Sequence, residues 1–257
     1  MQKIKSLPII ELKSIREIEL LRKAAKIVTQ VCEDLKKETK PGVATKKLDT
    51  TAYELIHNYG AEPAFLGYRS YPATICVSLN HEVVHGIPGE KKILKEGDIV
   101  SLDLGVRYQG YYGDIAVTLG MGEIKENAKR IIHVAEEALN QAILQACEGK
   151  RLGDISWAIQ SNVESNGFSV VRSYSGHGIG RKLHEEPQIP CFGQPGSGPR
   201  LLPGMVLAIE TMVNEGTHSV KLSDDHWTAV TADGLLSAHF EHMVLITQNE
   251  AEVLTRL

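Results

Sequence analysis

Near the start of the chain apolar residues recur at helical spacing: Ile15, Ile18, Leu21, Ala25, Val28, Cys32 and Leu35. Ser14 and Glu17 precede this stripe as a Ser-x-x-Glu capping box, and Pro41-Gly42 ends it. A second long helix is expected over residues 126–147, with Ile131, Ile132, Ala135, Leu139 and Ile143 on its apolar side. Between the helices the pattern becomes that of buried strands, over residues 74–78, 98–106 and 111–119. The last two are joined by a turn at Tyr108-Gln109-Gly110. Further strands are expected at 205–213, 227–231 and 239–246, with Ala232-Asp233-Gly234 as a hairpin turn. The expected class is α+β: a curved, mostly antiparallel sheet with helices on one face.

The pattern repeats. Gly42 and Gly149 are 107 residues apart, as are Gly60 and Gly167, Gly97 and Gly204, and Asp103 and Glu210. In each copy a long helix leads to a glycine, a second helix ends at Tyr59-Gly60 or Asn166-Gly167, and strands follow. The expectation is one catalytic domain over residues 1–257, built from pseudo-repeats of roughly 10–120 and 121–250, with a site at the axis between them.

The repeat places a carboxylate within an apolar strand twice. Asp103 follows Gly97 by six residues, and Glu210 follows Gly204 by the same number. An ionised carboxylate there is costly unless it is paired, hydrogen-bonded or bound to a metal. A turn centred between residues 108 and 109 would set Asp114 directly opposite Asp103, and two like charges that close repel unless a cation separates them. Glu241 lies in the last strand, and His177 sits between glycines that would let the backbone approach a site. Four carboxylates and one imidazole suit borderline-to-hard divalent ions such as Mn, Fe, Co or Zn. Two such ions about 3.5–4 Å apart would balance the charge, activate water and stabilise an oxyanion.

Composition narrows the choice of chemistry. With 257 residues, 42% of them hydrophobic, the chain can bury a full core. A formal net charge of −4 and the lack of a dense Lys/Arg block argue against nucleic-acid binding. Cys32, Cys76, Cys147 and Cys191 are widely spaced and read as reduced thiols of a cytoplasmic protein. The run Leu7-Pro8-Ile9-Ile10 is too short for a signal-peptide core, and nothing longer resembles a membrane span. A monomer is the expected state. The stretch His81-Glu82-Val83-Val84-His85 matches H-E-x-x-H, but that motif requires a helix, and a strand precedes it while Gly86 and Pro88 follow. Gly120-Met121-Gly122 lacks the later glycine of a nucleotide-binding loop.

The spacing Asp103, Asp114, His177, Glu210, Glu241, with His85-Gly86-Ile87-Pro88 and Gly176-His177-Gly178-Ile179-Gly180, resembles the type I methionine aminopeptidases across essentially the whole chain. The resemblance implies a duplicated pita-bread fold and an enzyme that removes the initiator methionine when the second residue is small. It implies that Asp114 and Glu241 bridge two ions, with Asp103 on one and His177 and Glu210 on the other, Glu210 also relaying a proton. It places His85 and His184 against the scissile peptide and a methionine pocket at Tyr68, Tyr71, Cys76 and Trp227, with Phe65 at its edge. The implied partners are nascent polypeptide N-termini, with the ribosome nearby. Three residues depart from the family pattern: Phe65 replaces a smaller residue of some bacterial relatives, Leu183 a Phe, and Gly105 a frequent Thr. Proline-directed peptidases share the ligands but usually carry an extra N-terminal domain, whereas about forty residues precede Gly42 here. Non-catalytic relatives on the same fold have lost ligands.

Overall fold

The computed structural model describes residues 10–256; the basic start and most of the apolar run after it lie outside the described residues. The first half comprises α1 (Ile15–Glu38), α2 (Thr45–Asn58), β1 (Glu62–Pro63), β2 (Ile75–Leu79), β3 (Glu82–Val84), β4 (Ile99–Tyr108) and β5 (Tyr111–Gly120). The second comprises α3 (Glu126–Leu144), α4 (Leu152–Ser165), β6 (Ser169–Val170), β7 (Ser175–Gly178), β8 (Glu185–Pro190) and β9 (Val206–Asn214). It closes with β10 (Val220–Leu222), β11 (Ala229–Thr231), β12 (Ser237–Leu245) and β13 (Glu252–Val253). A ten-stranded antiparallel sheet has the path β1-β4-β5-β12-β9-β7-β8, with β2 added on β4, β6 on β9 and β13 on β12, so the two halves meet where β5 lies beside β12.

Each helix pair covers its own half of the sheet. Ser14 caps α1 as the sequence predicts: its backbone N–H donates to Glu17 Oε2 at 3.0 Å, and its hydroxyl accepts from the Glu17 N–H. Ala24, Val28, Cys32 and Leu35 then pack on Val100, Leu102, Leu104 and Ile115. Ile15, expected on this stripe, is instead 82% exposed. In the second half Ile131, Ala135, Ala138 and Leu139 cover Leu207, Ile209, Phe240 and Val244. Burying a Val, Leu, Ile or Phe side chain stabilises the fold by about 1.5–3 kcal/mol. The equivalent glycines adopt matching conformations: φ is +89° at Gly42 and +88° at Gly149, +86° at Gly97 and +93° at Gly204. These are left-handed positions that residues with a Cβ rarely occupy.

Two expectations fail in detail. Tyr108 pairs with Tyr111, so the β4–β5 hairpin has a two-residue loop, Gln109-Gly110, with φ of +49° and +85°. Positive φ at both positions is the type I′ geometry that matches strand twist. The hairpin therefore centres one residue later than expected, setting Asp103 opposite Ala116 and Asp114 opposite Gly105; the two acids are diagonal neighbours, not a facing pair. Ala232-Asp233-Gly234 is also not a hairpin turn between paired strands. β11 pairs with β10 and β3 in a separate three-stranded sheet, and the turn carries the chain across to β12. His81–His85 spans β3, so its two imidazoles cannot share a helix face. Among the described residues no helix is long and apolar enough to cross a membrane, and all four cysteines are free.

Candidate metal centre and peptide pocket

Strand alternation sends Leu102, Leu104, Leu207, Ile209, Phe240 and Val244 toward the helices. The residues between them therefore face the other side of the sheet. There, neighbouring strands align one transverse row, Cys76–Asp103–Ala116–Glu241–Glu210, through successive pairings of β2, β4, β5, β12 and β9. Asp114 lies in the adjacent row beside Gly105, and His177 enters from β7 opposite Ala208. Asp103, Asp114, His177, Glu210 and Glu241 all line one cavity on this face. The like-charged pair that faces directly is thus Glu210 with Glu241.

His177 is held close by its glycines. A Cβ on residue 176 would lie 2.5 Å from the Ala208 carbonyl oxygen, too short for any carbon. The His177 Nδ1–H donates to the Gly178 carbonyl at 2.9 Å, which leaves Nε2 with its lone pair toward Asp114, 3.8 Å from Oδ2. Ligand atoms of Asp114, His177 and Glu241 lie within 4.8 Å of one another, as do those of Glu210, His239 and Glu241. Glu241 belongs to both sets.

The donor chemistry fits divalent cations. Asp114 Oδ1 and Glu241 Oε1 are buried with no hydrogen-bond partner among the described residues. Burial, with the neighbouring carboxylates, pushes both groups far above the ordinary carboxylate range. Burial likewise lifts Asp103 to about 7, against the pull of His239. Burial is the largest influence on Glu210 and raises it, but the hydrogen bond from His239, 2.9 Å from Nε2 to Oε2, together with the pull of His239, His177 and His85, keeps it below its usual value. Burial pulls His177 below its ordinary value, toward the neutral form that can ligate a metal. Protein groups alone leave these acids costly; cations would offset that cost. Sequence reasoning missed His239. The available signal was period two, since His239 shares a strand face with Glu241.

Every other residue predicted for the site lines the same cavity, of about 370 Å³. Tyr71 and Trp227 meet edge to face at 5.1 Å, and the Tyr71 hydroxyl is fixed by the Ile75 and Gly86 carbonyls at 3.1 Å. Cys76 and Phe65 are buried in the wall, and Tyr68 Oη lies 2.8 Å from His184 Nδ1 at the mouth. Partial burial of the ring and the nearby His177 pull His184 down to about 3. His85, with φ of +61°, is also lowered by burial. Both shifts favour the neutral imidazole. Leu183 and Tyr174 add to the lining. Two of the departures prove to be one feature: a Cβ on residue 105 would stand 2.6 Å from Phe65 Cε1, so the phenyl ring fills the room that a Thr side chain needs.

Comparison with known proteins agrees with this geometry. A model of metallopeptidase family M24 matches residues 19–248. Methionine aminopeptidase 1 of Bacillus subtilis is 51% identical over 245 residues, spanning 95% of this chain and 98% of that one. The crystal structure of methionine aminopeptidase from Thermotoga maritima matches with a TM-score of 0.95 at 49% identity, over 97% of this chain and 100% of that chain. A prolidase from Pyrococcus furiosus matches at a TM-score of 0.79 and 26% identity, over 96% of this chain but 65% of its own. The chain belongs to metallopeptidase family M24, among the methionine aminopeptidases, and has the pita-bread α+β fold of that family.

Proposed function

We propose that this protein removes the N-terminal, initiator methionine from polypeptides whose second residue is small, using two divalent cations drawn from Co, Mn, Fe and Zn. The observation that carries this reading is the pair of unpartnered buried oxygens, on Asp114 and Glu241, beside an apolar pocket. Asp114 and Glu241 would be shared between the ions, Asp103 would hold one, and His177 and Glu210 the other. When bound, the ions lower the pKa of water and stabilise charge that develops on the peptide oxygen.

Tyr68, Tyr71, Cys76 and Trp227, with Phe65 at the edge, enclose the methionine side chain, whose unbranched and polarizable thioether suits an aromatic wall. His184 and His85, being neutral, can each donate one hydrogen bond and accept another along the peptide. Glu210, the one site carboxylate whose surroundings favour the ionised form, would take a proton and return it to the departing amine. Closure of the cavity by Tyr174 and the loop around His184 favours a small second residue. Both pseudo-repeats, roughly 10–120 and 121–250, contribute side chains, so the chain works as one catalytic unit. The reading implies a cytoplasmic monomer acting on nascent chains near the ribosome, without membrane or nucleic acid.

The test is peptide turnover with manganese or cobalt supplied. Methionine should be released from Met-Ala-Ser, far more slowly from Met-Leu-Ser, and no residue from Ala-Pro-Ser. Asp114→Ala should lose nearly all turnover; an Asp114→Ala protein as fast as wild type would refute the assignment.

A further inference from the structure

We propose that His239 is a positioning residue, which holds Glu210 by one carboxylate oxygen and so presents the other to the site. The inference rests on the reading of Glu210 given above. It starts from the seam between the two halves. β5 and β12 share the backbone pairing Ala116 with Glu241. Continuing that register two residues would set Thr118 against His239. There the hydroxyl of Thr118 replaces the backbone partner: it accepts from the His239 N–H and donates to the His239 carbonyl, both at 2.8 Å. Ser101 Oγ lies 2.8 Å from the same hydroxyl and supplies the remaining hydrogen.

The result is a hydrogen-bonded row across four adjacent strands, Ser101–Thr118–His239–Glu210, alongside the row of acids. Ser101, Thr118 and His239 are each 2% exposed, so water does not compete for these bonds. The imidazole is fixed at its backbone by Thr118 and at its ring by Glu210. Because a carboxylate oxygen can only accept, Nε2 carries the hydrogen in this contact. That hydrogen also sets the role. A ring nitrogen that donates to Glu210 Oε2 has no lone pair to offer a cation, although its position would allow one. Orienting a ligand from behind in this way commonly changes metal affinity by about 10- to 100-fold when removed.

Two substitutions separate positioning from ligation. His239→Leu removes the donor while keeping an apolar side chain of comparable bulk. His239→Gln restores an N–H donor on a shorter reach. Manganese binding to chelator-stripped protein is measured by calorimetry, and kcat and KM are measured on Met-Ala-Ser. The expected result for His239→Leu is manganese affinity weaker by about 10- to 100-fold and a lower kcat with KM nearly unchanged. His239→Gln should recover most of both. Thr118→Val cuts the row one step earlier and should move both quantities in the same direction by less, a second handle should the Leu variant not fold. The inference is overturned if a folded His239→Leu protein binds manganese as wild type does. It is equally overturned if the Gln variant loses as much as the Leu variant, which would make His239 a ligand. Wild-type protein that neither takes up manganese nor releases methionine would instead sink the reading of the whole site.

Discussion

Gly105→Thr is expected to be strongly destabilising alone and much less so together with Phe65→Cys. Residue 105 lies on the site face of β4, locked opposite Asp114 by the β4–β5 ladder. A Cβ added there would stand 2.6 Å from Phe65 Cε1 and 2.9 Å from Ala64 Cβ. Carbon contacts are favourable at about 3.5–4.0 Å, so the phenyl ring must retreat by roughly 1 Å. It is wedged in a cluster with Tyr71, Ala73 and Cys76 and has little room to do so. Overpacking of this kind costs about 1–3 kcal/mol. For a chain of this length that lowers Tm by roughly 2–4 °C per kcal/mol. Phe65→Cys alone opens a void and should cost about 2–4 kcal/mol, somewhat less than a fully enclosed Phe truncation. In the double variant the Thr side chain occupies the vacated space, and the two costs should fall short of their sum by about 1–3 kcal/mol. Urea denaturation of all four proteins at one metal loading gives the coupling directly. Additivity within about 0.5 kcal/mol would show that the two residues do not share that space.

Two further outcomes follow from the charged groups. In metal-free protein the folded state keeps the Asp103 proton up to about pH 7, while an unfolded chain releases it near 3.8, so stability drains away as pH rises through that window. Metal-free Asp103→Asn should therefore match wild type near the bottom of the window and exceed it at pH 7.5 by up to about 4 kcal/mol, at 1.36 kcal/mol for each tenfold change in acidity; thermal melts in chelator with parallel pH profiles would contradict this. Separately, Lys13 Nζ lies 2.5 Å from Glu185 Oε2 with only 3% and 12% of the side chains exposed, and it ties the N-terminal segment to the loop bearing His184. Lys13→Met should cost about 3–5 kcal/mol and lower kcat/KM on Met-Ala-Ser, the stability loss being smaller beside Glu185→Gln; a change below 0.5 kcal/mol would show the pair to be inert.

The long helices, the central strands and the internal repeat were legible because each rests on local chemistry: the Ser14–Glu17 box, apolar spacing, and glycines at positive φ. The acids were legible because a carboxylate in a strand interior conflicts with its surroundings. Register was harder. Nothing in Tyr108-Gln109-Gly110 distinguishes a three-residue turn from a type I′ pair, and one residue of difference moved Asp114 from facing Asp103 to facing Gly105. The destination of β11 depends on which sheet edge is free, a property of the assembled fold. His239 shares a strand face with Glu241 by period two, but its role was not legible, because that comes from Glu210 on a different strand. The link between Phe65 and Gly105 is likewise a contact across forty residues, which no local pattern encodes.

The central claim is that these buried acids exist to hold cations at which a peptide is cut. The direct measurement is a manganese titration of chelator-stripped protein, with bound metal and methionine release from Met-Ala-Ser followed at every point. The account predicts no release from the stripped protein and activity that rises with bound metal to a plateau near two ions per chain. Full release while the protein remains free of metal would contradict it.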